Sequence, residues 1–217
     1  HGKTTRLLVQ WQNRKQTRLV LLSGAAPTFK LDVAHEETDE AWVDVHDDLR
    51  MLSSEKGKLR FVWPTETSGV RQLIIKDGDD VTALTRGDNP VLRTSGFIAP
   101  NDADAGWVFT TRATERSLQQ HLFATSLDGK VDVQLTQREG AHGVSLSKDG
   151  RFFVDKHSSF GTPADVRLFA ILDDNGSKKA KEVAVLEAND AAELKSYALP
   201  KSSFHVVKAD DGTELNA

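Results

Sequence analysis

The chain has 217 residues, with 28 Lys and Arg against 32 Asp and Glu, so its formal net charge is -4 at pH 7. This balance argues against a nucleic-acid or polybasic membrane surface, because both need clustered positive charge. Cysteine is absent, which excludes disulfides, thiol nucleophiles and cysteine-ligated metals. No apolar run reaches the length of a membrane span. We therefore expect a globular protein whose partners are neither nucleic acid nor membrane.

Short β-prone runs follow one another along the first half of the chain. Runs 6–11 and 18–22 predict a hairpin, and 29–34 predicts a third strand. A second group of strands is predicted at 49–52, 59–63, 72–75 and 81–85. Pro64 is expected to end the strand before it, because proline cannot donate to a ladder. Helical periodicity is absent from this half, which disfavours an α/β fold.

The second half opens with short runs at 91–93 and 96–98 and continues into the stretch 106–155. Asp128-Gly129 and Asp149-Gly150 lie between successive β-prone runs of that stretch. Asp-Gly between such runs is a strong hairpin signal. The stretch therefore predicts one antiparallel meander and the beginning of the next.

Similar landmarks recur in the same order at intervals of roughly 45–50 residues. The first landmark is an aromatic residue in one strand, at Phe61, Phe109 and Phe153. The second is a leucine in the next strand, at Leu73, Leu122 and Leu168. The third is a Leu-Thr pair that ends the repeat, at 84–85 and 135–136. This period, with about four strands per repeat, is typical of β-propeller blades. A β-sandwich with accidental spacing is the weaker alternative. The prediction is an all-β fold, with roughly four antiparallel four-stranded blades over residues 1–192.

The tail 193–217 departs from this pattern. It holds an apolar run at 204–209, the turn 210–212, and the start of a second strand. We expect these residues to be a linker and the first hairpin of a further domain.

Motifs that carry chemistry are sparse. The Gly-x-Ser-x-Gly elbow of hydrolases is missing from the sequence. His35-Glu36-Glu37 resembles the start of a zinc helix motif, but Asp39 stands where its second histidine is needed. The loop 101–106 resembles the opening of a calcium site without the glutamate that completes it. We therefore expect no catalytic residue, no metal and no cofactor in this chain.

Two histidines in the second half are candidates for a structural role. His142 follows Gly140-Ala141, and His157 precedes Ser158-Ser159. The prediction is that they satisfy buried loop carbonyls, a role favoured over catalysis.

Eight segments, in order along nearly the whole chain, resemble one protein family. The segments are 9–16 (VQWQNRKQ), 42–48 (WVDVHDD), 59–63 with Glu66 and Gly69, 84–87 (LTRG), 121–129, 140–142, 155–159 with Pro163, and 209–215 (ADDGTEL). They are similar to the C-terminal half of the β-propeller of dipeptidyl peptidase IV, in the prolyl oligopeptidase group of serine peptidases. The bacterial members show the resemblance most clearly.

The resemblance implies a parent enzyme with an eight-bladed propeller and an α/β-hydrolase domain carrying a Ser-Asp-His triad. Such enzymes remove N-terminal dipeptides with proline or alanine in second place. The triad would lie beyond Ala217, and the glutamate pair that holds the substrate's amino terminus would precede His1. The chain would then be a non-catalytic fragment, and its partners would be peptide substrate and its own hydrolase domain. For a bacterial parent, the resemblance favours a periplasmic or secreted location.

The same resemblance points to two substrate-binding residues, His46 and Asp47. They follow Trp42-Val43 at the place where the family reaches the pocket beside the substrate's N-terminal side. Some relatives carry an aromatic residue and an arginine there. The alternative is a blade loop without substrate contact. With substrate contact, the chain would gate and orient the peptide, which is catalysis by positioning.

A stand-alone propeller that serves as a binding scaffold is the alternative function. In either case, a partial ring leaves the faces of its end blades without neighbours, and uncapped repeats are poorly soluble. We therefore expect the chain to self-associate.

Overall fold

The structure is a computed structural model that describes residues 5–52, 58–100, 106–115, 117–198 and 203–217. Most of the loop 101–106, weighed above as a calcium-site opening, lies outside the described residues. The chain divides into two compact units, His1–Pro90 and Val91–Ala217. Among the described residues, no helix combines the length and apolarity needed to cross a bilayer.

The first unit contains two antiparallel sheets. Its strands are β1 (Arg6–Gln12), β2 (Arg18–Ala25), β3 (Asp32–Thr38), β4 (Arg50–Met51), β5 (Arg60–Thr65), β6 (Gln72–Asp77) and β7 (Asp80–Ala83). β1, β2 and β3 form one sheet, and β4 to β7 form the other, each in chain order. Strands that are consecutive within a sheet are therefore antiparallel neighbours, as the turn signals predicted.

The core of the first unit joins these two sheets. Leu19 and Leu21 on β2 pack with Phe61 and Trp63 on β5, and all four are fully buried. Each pair is two residues apart, so both members point to the same face of their strand. Burial of these four large apolar side chains stabilises the unit by roughly 1.5–3 kcal/mol each.

The second unit contains two successive four-stranded meanders and a separate hairpin. Its strands are β8 (Val91–Ile98), β9 (Trp107–Thr114), β10 (Gln119–Ser126), β11 (Asp132–Gln134), β12 (Ala141–Leu146), β13 (Phe152–Ser159), β14 (Thr162–Asp174), β15 (Ser177–Glu187), β16 (Val206–Lys208) and β17 (Glu214–Asn216). β8 to β11 pair consecutively, and so do β12 to β15. One parallel bridge, Gln120 to Ala141, links the two meanders.

The sequence repeat is confirmed by a hydrogen-bond pattern that occurs in both units. The Leu73 N–H donates to Thr85 Oγ1 over 2.9 Å, and the Leu122 N–H donates to Thr136 Oγ1 over 3.0 Å. The Leu-Thr endings therefore cap equivalent strand pairs. The landmark aromatic Phe109 is 1% exposed, like its counterparts in the neighbouring repeats.

Three details of the prediction were wrong. β3 begins at Asp32 and not at 29, because Phe29 belongs to a turn in which its backbone N–H donates to Ala25 O. The runs 91–93 and 96–98 form the single strand β8, with register shifts where it was predicted to break. β5 continues through Pro64, which pairs with Leu73.

The geometry of β5 explains why Pro64 is tolerated. The Leu52 N–H donates to Arg60 O, so Arg60 and every second residue after it direct their backbone groups towards β4. Pairing with β4 ends at Val62. The missing N–H of Pro64 therefore faces a position with no ladder partner, where proline costs no hydrogen bond.

The tail contains the strand, turn and second strand that its sequence predicted. A short 3-10 helix spans Ala192–Ser196, and β16 pairs antiparallel with β17. The Gly212 N–H closes the turn onto Ala209 O over 2.9 Å. The assignment of this hairpin to a further domain stays a prediction.

Candidate functional site

A pocket of about 130 Å³ lies in the first unit, where the end of β3, the irregular segment after it and the β5–β6 turn meet. It is lined by Glu37, Thr38, Asp39, Trp42, Val43, Asp44, Val45, His46, Pro64, Glu66, Thr67 and Arg71. Cavities of roughly 150 Å³ hold one benzene-sized group. The pocket therefore has room for a single side chain and not for a folded partner.

The irregular segment 39–49 is held by the first hairpin, although it forms no strand. The Val43 N–H donates to Gln16 O over 2.6 Å, and Gln12 Nε2 donates to Val43 O. Gln10 Nε2 donates to His46 O over 3.0 Å. Side chains of β1 thus satisfy backbone carbonyls of the segment, which fixes the position of His46 without a ladder.

Aromatic rings lie behind the pocket around Trp63. The His46 ring is 4.4 Å from the Trp63 ring between centroids, at 76° between planes, and the His35 ring is 5.1 Å away at 71°. Edge-to-face pairs of this kind contribute about 0.5–1.5 kcal/mol beyond their burial. The two histidines therefore hold the fully buried indole in one orientation.

Glu37 is the buried charge of the site, with a side chain that is 6% exposed. Its Oε1 accepts the Trp63 indole N–H over 3.1 Å and lies 3.2 Å from His35 Nε2. Among the described residues, none hydrogen-bonds its second oxygen, Oε2. Glu37 thus combines a fixed carboxylate with one free acceptor on the pocket wall.

His46 is neutral at ordinary pH. Burial lowers the pKa of its imidazole to about 4, and the nearby Arg71 guanidinium acts in the same direction. Both ring nitrogens are buried without a hydrogen-bond partner in the part of the chain that the structure describes. His46 therefore brings an uncharged ring to the pocket.

The structure separates the two residues predicted to bind substrate. His46 lines the pocket, whereas Asp47 is exposed and lies outside its wall. The next residue, Asp48, accepts a hydrogen bond from Arg71 Nη2 over 2.7 Å. Arg71 is thereby neutralised at the pocket wall.

The sequence prediction missed Glu37 and Arg71 as pocket residues, and it missed Trp63 as the buried ring that bonds Glu37 from behind the pocket. Glu37 was considered as part of a metal motif, and Trp63 as part of the predicted strand 59–63. One signal could have identified Glu37. It lies two residues after His35 in β3, so both side chains point to the same face of the strand, and that face packs against the core.

A second cluster of polar groups lies in the core of the other unit. The rings of His121, His142 and His157 follow one another, with centroids 5.0 and 4.7 Å apart. His142 Nδ1 is 2.7 Å from Asp155 Oδ2, and all four side chains are buried. His142 Nε2 is 2.8 Å from the carbonyl oxygen of residue 138.

The structural role predicted for His142 and His157 is confirmed. His157 Nε2 is 2.8 Å from Glu139 O, so both rings satisfy carbonyls of the β11–β12 loop. Within the described ranges, no group of three or more His, Asp and Glu side chains is arranged to hold a metal ion. The cluster thus joins strands and loop within the unit.

These sheets and their repeat define the chain as part of a β-propeller domain, which confirms the predicted fold class. A solved protein, Porphyromonas gingivalis dipeptidyl peptidase 4, is similar in structure, with a TM-score of 0.78. The match covers 97% of this chain and 29% of that one at 22% identity, and it shows the shared fold. The model of the dipeptidyl peptidase IV (DPP IV) N-terminal region matches residues 1–164, and the chain belongs to that family.

Curated relatives are similar at the level of sequence. Dipeptidyl peptidase 4 of Trichophyton rubrum is 26% identical over 211 residues, which are 94% of this chain and 26% of the relative. Dipeptidyl peptidase 4 of Arthroderma otae is 26% identical over 190 residues, covering 85% and 23%. Dipeptidyl peptidase 8 of Mus musculus is 25% identical over 200 residues, covering 78% and 22%. The chain spans about a quarter of the length of these relatives.

Proposed function

We propose that the chain is the non-catalytic propeller part of a DPP IV-like serine exopeptidase that removes N-terminal X-Pro or X-Ala dipeptides. The match to the family model over residues 1–164 carries this proposal. The relatives that share this region are themselves named dipeptidyl peptidases. In this proposal, the Ser-Asp-His triad belongs to a hydrolase domain that the chain does not contain.

The chain's own contribution is to admit and orient the peptide. The pocket beside His46 supports this role, because it accepts one side chain and is lined by a loop that β1 holds in place. Fixing a substrate in a reactive geometry accelerates a reaction by removing its orientational freedom. His46 and Asp47 are the proposed substrate contacts, the first in the pocket and the second on the adjoining surface.

The domain boundary belongs to the same proposal. Residues 1–192 are the partial propeller, and 193–217 are a linker and the first hairpin of the hydrolase domain. The change from long paired strands to the isolated β16–β17 hairpin supports this division.

The proposal is tested first by activity. The chain alone, incubated with a chromogenic Gly-Pro amide, is expected to give no turnover, and the full reading frame of its gene is expected to cleave it. Turnover by the repurified chain, or a full-length product without Gly-Pro amidase activity, would refute the proposal.

The positioning role is tested in the full-length enzyme. His46→Ala and Asp47→Asn are each expected to raise KM about 2- to 10-fold and to lower kcat, because a contact that both binds and orients the peptide is lost. Glu36→Gln is the matched control, since Glu36 is exposed and bonded to Arg18 over 2.8 Å. Unchanged KM and kcat in both variants would contradict this role.

We further infer that the isolated chain self-associates. The edge strand β15 exposes Val183 at 54%, Val185 at 47% and Leu186 at 55%. Exposed apolar edge strands are templates for pairing with another chain. Light scattering is expected to show oligomers at micromolar concentration, reduced by Val185→Lys. A monomer of the unsubstituted chain would overturn this inference.

A further inference from the structure

We propose that the pocket around Glu37 selects a cationic side chain, such as that of lysine, from the peptide that it receives. This inference rests on the proposed function only in taking the ligand to be part of a peptide. Three features of the pocket support it, namely its charge, its free acceptor and its apolar wall.

The charge of the pocket is negative. Its wall carries four carboxylates, those of Glu37, Asp39, Asp44 and Glu66, against one cation, Arg71. Asp48 pairs with that cation over 2.7 Å and offsets its charge.

His46 does not offset this negative charge. Burial lowers the pKa of its ring to about 4, so the ring is neutral near pH 7. An anionic ligand would thus meet uncompensated repulsion, whereas a cation would be attracted.

Glu37 supplies a defined partner for such a cation. Its side chain is 6% exposed, and Trp63 and His35 fix one carboxylate oxygen, which leaves the other free on the pocket wall. Among the described residues, this second oxygen is not one of the buried polar atoms that lack a partner, so it is accessible to a donor from a ligand. The ammonium or guanidinium of an incoming side chain is the donor that matches its charge.

The remaining wall fits the stem of that side chain. Trp42, Val43, Val45 and Pro64 give the pocket apolar surface, and Trp42 is 62% exposed at this site. Long cationic side chains bury their methylene stems along such surfaces while the charged end finds a polar partner. A volume of about 130 Å³ has room for one such chain.

The test compares two blocked amino acids that differ in charge, Nα-acetyl-lysine N-methylamide and its norleucine analogue. The indole N–H of Trp63 donates to Glu37, so its NMR resonance reports binding at the site itself. We expect the lysine probe to bind the 217-residue chain at least about 10-fold more tightly than the norleucine probe. Glu37→Gln is expected to abolish this preference, while Glu36→Gln, altered one residue away on β3, retains it.

Three results would overturn the proposal. They are equal affinity for the two probes, no shift of the Trp63 resonance with either, and an undiminished lysine preference in Glu37→Gln. If Glu37→Gln does not fold, the comparison of the two probes decides alone, with Asp44→Asn expected to weaken lysine binding about 2- to 3-fold. The two proposals can fail separately. If the chain shows no preference for the lysine probe but His46→Ala still raises the KM of the full-length enzyme, only the charge selectivity is refuted and the proposed function stands.

Discussion

The imidazole of His46 lies edge-on to the indole of Trp63, with 4.4 Å between the ring centroids. This contact places a titratable ring in a site that favours its neutral form, because burial lowers its pKa to about 4. The same contact joins the irregular loop to the core of the first unit, in which Trp63 is fully buried. Protonation of one ring is therefore coupled to the packing of that unit.

The first prediction concerns the pH dependence of this unit. The ordinary histidine pKa of about 6.5 applies in the unfolded chain, so that state binds the proton more readily than the folded one. The free energy of unfolding should thus fall as pH decreases from 6.5 towards 4 and be insensitive to His46 above that window. His46→Phe is expected to make this fall shallower.

Urea denaturation followed by the Trp63 indole resonance measures the effect. His205→Asn is the control, because His205 is exposed in the tail. An identical pH slope in His46→Phe and the unsubstituted chain would show that the His46 ring is not held neutral.

The second prediction concerns a buried arginine in the other unit. Arg112 is 2% exposed and donates to both oxygens of Asp132 over 2.7 Å, and also to Thr110 and Thr125. Its guanidinium lies 4.5 Å from the Phe123 ring centroid. Removing one member of a buried pair leaves the other charge uncompensated.

We expect the two truncations to differ in cost. Asp132→Ala should lower the free energy of unfolding by about 2–4 kcal/mol, because it strands the buried guanidinium. Arg112→Met should cost about 1–2 kcal/mol, since Asp132 is 37% exposed and water can solvate it. Urea denaturation of both variants provides the comparison, and the reverse order would contradict this account.

The third prediction contrasts two glycines. Gly140 has a φ of 128°, and an added Cβ would lie 2.2 Å from Ser158 O. Gly176 has a φ of 81° and open space around that position. Gly140→Ala is expected to cost about 3 kcal/mol or more, because strain and a backbone clash combine. Gly176→Ala should lower the free energy of unfolding by only about 1 kcal/mol, the penalty for placing alanine in the left-handed conformation.

Thermal unfolding of the two alanine variants measures this difference. Equal shifts in Tm would mean that the loop at Gly140 relaxes away from Ser158.

The fourth prediction concerns the row of histidines. Burial, together with the neighbouring His142, lowers the pKa values of His121 and His157. The surrounding charges are Asp155 within the row and Arg138, which is paired with Asp165. Unfolded histidines bind protons more readily, so the second unit should lose stability as pH falls below about 6.5.

His121→Gln should reduce this loss, because its amide can still bond Thr136 and carries no titratable proton. Trp107 is the tryptophan of the second unit and reports its unfolding. Urea midpoints at pH 7.5 and 5.5 give the comparison. A pH dependence as steep in His121→Gln as in the unsubstituted chain would exclude His121 as a contributor.

Much of the fold was predictable because its signals are local. The hairpin of β1 and β2, the meander that contains Asp128-Gly129 and the cap at Thr136 follow from alternation, turn chemistry and repeat spacing. Pro64 was mispredicted because its tolerance depends on how far β4 reaches, which is a property of the neighbouring strand. A proline rule applied to one strand cannot include that information.

The residues alone were enough to predict an all-β chain, its repeat and a loop at His46 after Trp42-Val43. The burial of Glu37 depends on the folded arrangement, since its partner Trp63 lies 26 residues away on another sheet. The tertiary structure also separated His46 from its neighbour Asp47, of which only the first lines the pocket. The physical reason is that strand alternation and turns are local steric properties, whereas a pocket depends on which distant side chains pack together and exclude water.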